Sequence, residues 1–164
     1  MKFKLSLLGS VRKALDLEIP TSNPSLAEIM SFTFGTGANK ANECVLDQRE
    51  LAPSATEDLD LSGTLKNAFG ELVAFAKVKV LVIVNRSLLA TMTIGNTAAT
   101  QFLGPFGAAT HTITLPPGGV FAVARPDATG WACAAGSTDL LKILNDDAVN
   151  TLTYDVGVIG EAAV

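Results

Sequence analysis

His111-Thr112-Ile113-Thr114-Leu115-Pro116-Pro117-Gly118-Gly119-Val120-Phe121-Ala122-Val123-Ala124-Arg125-Pro126 sets an apolar run on either side of a Pro-Pro-Gly-Gly corner, and it reads as strand, corner, strand. Pro116 and Pro117 cannot donate ladder hydrogen bonds, so the first strand stops at them. Gly118 and Gly119 are free to take the positive φ angles a reversal requires. Arg125-Pro126-Asp127 closes the second strand.

Units of the same kind fill the chain outward from this corner. Toward the N-terminus, Val78-Lys79-Val80-Leu81-Val82-Ile83-Val84-Asn85 is the most apolar and β-branched run, and its near-continuity predicts a central strand covered on both faces. Weaker strands are expected at Ala90 to Ile94, at Glu57 to Leu61, and at Glu43 to Leu51, the last polar enough to be peripheral. Lys2 to Leu8 and Ala14 to Ile19 alternate polar and apolar residues, as does Met30 to Phe34. Two short stretches read differently: Ser25 to Met30 as a possible helical turn, and Thr64 to Gly70 as one helical turn ended by glycine. Toward the C-terminus come a short segment at Trp131, a strand at Asp139 to Asn145 and a long strand from Asn150 to Gly160.

About ten short strands with almost no helix predict an all-β fold, a single jelly-roll or β-sandwich domain. Residues 1–24 are expected to form an N-terminal strand or arm, packed on or extending from a domain of residues 25–164. No internal repeat is evident.

The 164 residues are 48% hydrophobic, 17% charged and 6% aromatic. Low charge beside high apolar content predicts a chain that hides much surface, in its own core or against other subunits. A net charge of −4 argues against nucleic acid as a partner, since phosphate is gripped by clustered Lys and Arg. The first 13 residues nevertheless carry Lys2, Lys4, Arg12 and Lys13 and no acid. They read either as a docking arm for an acidic surface or as a lysine-protected edge strand. Neither a secretory signal nor a membrane span is expected, which places synthesis in the cytoplasm.

Chemistry is sparse. Cys44 and Cys133 lack metal or redox spacing and read as buried free thiols, as in a reducing compartment. His111, the single histidine, reads as a surface residue rather than a general base. Asp47, Glu50, Glu57, Asp58 and Asp60 lack a calcium-loop pattern and default to a solvated face. Asp146-Asp147 and Glu57-Asp58 are adjacent acids that point apart in turns rather than flanking a sugar. Trp131 reads as core. The expectation is no enzyme, no cofactor and no metal. Gln101-Phe102-Leu103-Gly104-Pro105-Phe106-Gly107 reads as a rigid apolar loop that meets a neighbouring chain, with Phe102 and Phe106 as contacts beside Lys2, Lys4, Arg12 and Lys13.

Several stretches taken together resemble a family of small structural proteins of tailed bacteriophages. They include Phe34-Gly35-Thr36-Gly37-Ala38-Asn39, Asp47-Gln48-Arg49-Glu50-Leu51, Asn67-Ala68-Phe69-Gly70, Gly104-Pro105-Phe106-Gly107, Ala124-Arg125-Pro126-Asp127-Ala128-Thr129-Gly130 and Val149-Asn150-Thr151-Leu152-Thr153-Tyr154-Asp155-Val156. The likeness runs from about Phe32 to Gly160. It implies a jelly-roll particle component, a capsid decoration or cement protein that binds the major capsid protein as an oligomer, often a trimer, on the virion surface. A tail or neck component, including a host-receptor binder, is the alternative, and a carbohydrate-binding β-sandwich a more distant one. Such a family has no catalytic residues to carry over.

Overall fold

The computed structural model describes residues 2–10, 25–96 and 100–163, with side chains from Met30 onward. The chain is all-β. Its strands are β1 (Lys2–Ser10), β2 (Ser25–Phe34), β3 (Lys40–Ala41), β4 (Glu43–Leu51), β5 (Thr56–Asp60), β6 (Leu65–Lys66), β7 (Leu72–Val73), β8 (Phe75–Asn85), β9 (Met92–Gly95), β10 (Thr112–Leu115), β11 (Val120–Ala124), β12 (Trp131–Ala132), β13 (Leu140–Asn145) and β14 (Leu152–Ala162). The strand read at Ala14 to Ile19 lies outside the described residues, as do Arg12 and Lys13.

Two antiparallel sheets face each other across the core. One runs β10-β9-β13-β5; the other runs β11-β8-β14-β4, with β12 added beside β11 on β8. Alternation decides the inner faces. Leu152, Tyr154, Val156 and Val158 of β14 meet Leu81 and Ile83 of β8, and across them lie Met92, Ile94, Leu141 and Ile143 of the opposite sheet, all buried. A third, smaller sheet pairs β1 with β2 from Lys2↔Thr33 to Ser10↔Ser25, and β2 in parallel with β3.

Both helical expectations fail. Ser25 to Met30 belongs to β2, where pairing with β1 outweighs local helical propensity. Leu65–Lys66 and Leu72–Val73 form a small hairpin. Its tip is held by the Asn67 carboxamide oxygen, which accepts from the Phe69 and Glu71 amides, and by Gly70 at φ +82°.

The Pro-Pro-Gly-Gly corner does not join paired strands. β10 pairs with β9 and β11 with β8, so the corner carries the chain from one sheet to the other. The turn closes through Gly119 N–H donating to Pro116 O at 2.8 Å, with Gly118 at φ +74°. Gly118→Val is therefore expected to lower stability by about 1–3 kcal/mol through backbone strain. Gly119→Val acts by crowding instead, since a Cβ there would stand 2.8 Å from Pro116 O. Urea unfolding of both variants measures this; unchanged midpoints overturn it.

A repeat that the residues alone did not disclose emerges from the connectivity. Exchanging β4, β5, β8 and β9 for β10, β11, β13 and β14 turns one sheet's strand order into the other's. The loops β4–β5, β8–β9, β10–β11 and β13–β14 all cross between sheets, and all lie at one end, as the pairings Leu152↔Leu51, Tyr154↔Asn85 and Asn145↔Met92 require. The repeat surfaces in sequence as Asn85-x-Ser87-x-x-Ala90-Thr91-Met92-Thr93 against Asn145-x-Asp147-x-x-Asn150-Thr151-Leu152-Thr153.

Its most telling members are the two asparagines, both fully buried. Asn85 Nδ2 donates to Ala90 O in its own loop and to Leu115 O and Pro116 O of the Pro-Pro-Gly-Gly crossing, at 2.8 to 3.1 Å. Asn145 Nδ2 donates to Asn150 O in its own loop and to Leu51 O and Ala52 O of the β4–β5 crossing, at 2.9 to 3.2 Å. Each Oδ1 accepts the backbone N–H two residues on, Ser87 or Asp147, at 3.0 Å. Each carboxamide thus pins two crossing loops together and supplies hydrogen bonds to buried and half-buried carbonyls.

Candidate interaction surface

The residues weighed for chemistry are scattered, and most have structural partners. His111 is exposed on the loop before β10. Asp146 accepts from Thr93 Oγ1 at 2.6 Å, while Asp147 accepts from the Val149 and Asn150 amides, both at 2.7 Å. The Asn150 and Val149 N–H groups hold the Asp147 carboxyl below its usual range. Glu57 accepts from the buried Tyr154 hydroxyl at 2.8 Å and pairs with Arg49, which also holds Asp47 at 3.0 Å. Burial, then the Glu57 carboxylate, push the Tyr154 phenol up. Among the described residues no three His, Cys, Asp or Glu side chains gather as a metal site. Burial raises both thiols, Cys133 to about 12. Trp131 packs against the core.

Phe102 and Phe106, expected to face a neighbouring chain, are a correction. Both are buried in the chain's own core, and a Cβ on Gly104 would lie 2.4 Å from the Phe102 ring. The loop folds inward because burying two aromatic rings in the core removes their large apolar surface from water. Lys2 and Lys4 lie on β1, paired opposite Thr33 and Ser31.

A buried charge cluster joins two loops. Lys79, wholly buried, sits where the β8–β14 register jumps from Ile159↔Val80 to Gly160↔Val78. That bulge frees Lys79 from the ladder and re-aims it. Its Nζ pairs with Glu161 Oε1 at 3.2 Å and donates to Gly37 O and Asp127 O. Glu161 accepts from Gly37 N–H at 2.8 Å and pairs with Lys77 at 3.1 Å. Burial alone would raise Glu161, but the Gly37 N–H, Lys77 and Lys79 outweigh it and hold the carboxyl below its usual range. Gly35 to Asn39 and Arg125 to Gly130 are clamped together here, and Asn39 N–H also donates to Pro126 O at 2.7 Å.

The outer face of the β11-β8-β14-β4 sheet is the site sequence reading missed. One half is covered by the chain itself: Phe32 of β2 and Ala41 of β3 bury Val80 and Ile159, with Met30, Cys44, Val82 and Ala124 against them. The other half is an open apolar groove of about 520 Å³ whose lining includes Leu46, Val82, Val84 and Gly157, with Asp47, Asp155 and Arg86 at its rim. Leu46 is 78% exposed. It also lines an adjoining hollow with Phe34 and Phe69, the latter 80% exposed. The apolar run of β8 suggested cover on both faces; the structure gives it on one face and half of the other.

A second apolar region lies at the end held by the two asparagines. Leu88 and Leu89 on the β8–β9 loop and Val149 on the β13–β14 loop are exposed, Leu88 at 90%. The loops are bound to each other, Ser87 Oγ accepting from Thr153 N–H at 2.7 Å and Arg86 N–H donating to Thr153 O at 2.8 Å.

The fold thus defines an all-β sandwich with two exposed apolar regions on rigid supports. Comparison with protein-family models, with curated proteins and with solved structures finds no match for this chain.

Proposed function

We propose that this chain is a non-enzymatic structural protein of a phage particle, with a jelly-roll domain, that decorates the capsid exterior as an oligomer and binds the major capsid protein. The observation that carries the reading is the apolar loop end: Leu88, Leu89 and Val149 stand in water on loops pinned by Asn85 and Asn145. Exposed apolar side chains on preorganised loops lose little entropy when a partner covers them. Two Greek keys in the order β4-β14-β8-β11 and β5-β13-β9-β10 support the jelly-roll part. The likeness to phage structural proteins from Phe32 to Gly160 supports the particle. Weak contacts at each subunit add up when one oligomer grips several sites on a lattice.

Two measurements test it. A reconstruction of the particle that carries this protein should show hundreds of copies on the capsid; a few to tens, at the tail or neck, overturn the capsid assignment. In co-sedimentation with capsids, Leu88→Asp with Val149→Asp should weaken binding at least about tenfold, the loss of roughly 1.4 kcal/mol or more. Full binding by that variant removes the loop end as the contact.

A further inference from the structure

We propose that the outer edge of β11 is a self-association site, where β11 of a second copy of this chain adds in antiparallel register about a two-fold axis through Ala122. The inference goes beyond the reading above and holds with or without a capsid. It stands on the charge along the sheet edges, on the direction of the backbone groups and on the register.

From Ser87 to Ala124 the chain has no Asp, Glu, Lys or Arg. The fold gathers the strands of that stretch at one side of the sandwich, because β10 and β11 are edge strands of the two sheets and only Pro116 to Gly119 join them. The opposite side is different: β4 carries Glu43, Asp47, Arg49 and Glu50, and β5 carries Glu57, Asp58 and Asp60. Charges on an edge strand deter another chain from pairing there, so one side of the sandwich is guarded and the other is not.

The backbone of β11 shows which groups are on offer. Asn85 N–H donates to Gly119 O and Arg125 N–H to Lys79 O, and between them Phe121 and Val123 lie opposite Ile83 and Leu81. Residues 119, 121, 123 and 125 thus turn toward β8. By the alternation of an antiparallel ladder, the N–H and C=O groups of Val120, Ala122 and Ala124 point the other way. Among the described residues nothing takes them up, and none of the three residues is buried. β10 is the poorer edge, with four residues and with Leu115 O already held by Asn85.

A neutral, extended segment suits this edge, and β11 is itself one. A two-fold through Ala122 sets Val120 opposite Ala124 of the second copy and Ala122 opposite its own counterpart, so every outward N–H of both copies meets a C=O. Val120, 58% exposed, gains cover beside that Ala124. Arg125, held by Asp127 at 3.0 Å, falls opposite Gly119 of the second copy, and no like charges meet. Such a contact is isologous and closes at two copies. Because the strands run in opposite directions, the two apolar loop ends point apart, and a dimer reaches two sites that face each other rather than two side by side.

Sedimentation equilibrium and amide exchange of the full chain, without capsid, test the inference. The wild type should be a dimer at micromolar concentration, and the amides of Val120, Ala122 and Ala124, which have no bond within the subunit, should exchange slowly in it. Ala122→Lys and Ala122→Glu each set like charges opposite one another, so each alone should weaken dimerisation at least about tenfold at low salt, with the unfolding midpoint of the dilute monomer held. An equal mixture of the two variants should recover the dimer, since opposite charges then meet on the axis. A wild type that stays monomeric, or that grows past the dimer, overturns the proposal. So does fast exchange at those amides in a dimer, or a mixture that associates no better than either variant alone. The exchange measurement uses the wild type and decides the matter even if a charged variant folds poorly. Dimerisation without capsid binding would instead overturn the functional reading and leave this one standing.

Discussion

Glu161→Ala is expected to cost about 3–5 kcal/mol of folding stability, the range for removing one partner of a buried ion pair. The variant strands Lys79 in the interior with only carbonyl oxygens for company and takes the acceptor from Gly37 N–H. Against a total of about 5–15 kcal/mol for a domain of ordinary stability, that is a large fraction. The pair itself is not the source of so large an effect; the uncompensated charge is. Replacing both partners, Lys79→Met with Glu161→Leu, should therefore recover most of the loss, and urea unfolding of the single and double variants decides it. A single variant within 1 kcal/mol of wild type, on the scale of an exposed pair, would show that water reaches Lys79 after all.

The same carboxylate sets a pH dependence with a definite sign. Its native-state pKa is lowered, so the native state favours the ionised form. The stabilisation is complete above the ordinary carboxyl range and is lost as pH falls through the lowered native value. Asp127, lowered chiefly by Gly130 N–H and then by Arg125, titrates in the same direction from the same clamp. Acid should loosen residues 35–39 and 125–130 first, and amide exchange there should rise before the core strands respond.

Asn145→Ala and Asn85→Ala are each expected to cost about 2–4 kcal/mol, since each removes three hydrogen bonds that tie two loops together, and Pro116 O and Ala52 O are left with only their own turn amides, Gly119 and Ala55. Leucine has nearly the right volume but no donor, so Asn145→Leu should recover little, which separates hydrogen bonding from packing. The loss should appear as faster amide exchange in residues 52–55 and 146–151 for Asn145 variants, and in residues 86–91 and 116–119 for Asn85 variants. If Asn145→Leu restores the wild-type midpoint, the carboxamide is space filling and the loops hold by themselves.

The sandwich was legible because strands announce themselves locally. Alternation in β14, the apolar run of β8 and the prolines ending β10 are each read within a few residues. What escaped depends on partners far along the chain. Thr64 to Gly70 has the composition of a helical turn, but Leu65 and Val73 need the core, and a hairpin buries both. Phe102 and Phe106 looked like contact residues because a Gly-rich loop gives no sign of which way it folds. Phe34 to Asn39 and Ala124 to Gly130 stood out as motifs without a reason; the reason is Lys79 and Glu161, over which both loops close. The open groove was hidden for a similar cause, since Val82 and Val84 read as core and only the tertiary packing shows that the cover from β2 and β3 ends at Val82.

The placement of β14 also governs how the protein comes into being. It lies between β4 and β8, strands laid down long before it, and bonds to both along most of its length. Until β14 leaves the ribosome, β4 and β8 expose open edges, and Tyr154, Val156 and Val158 are missing from the core. A nascent chain can form its local hairpins early, but its main sheet must wait for its own closing segment. Long-range pairing of this kind makes for slow folding, with unpaired edges exposed meanwhile.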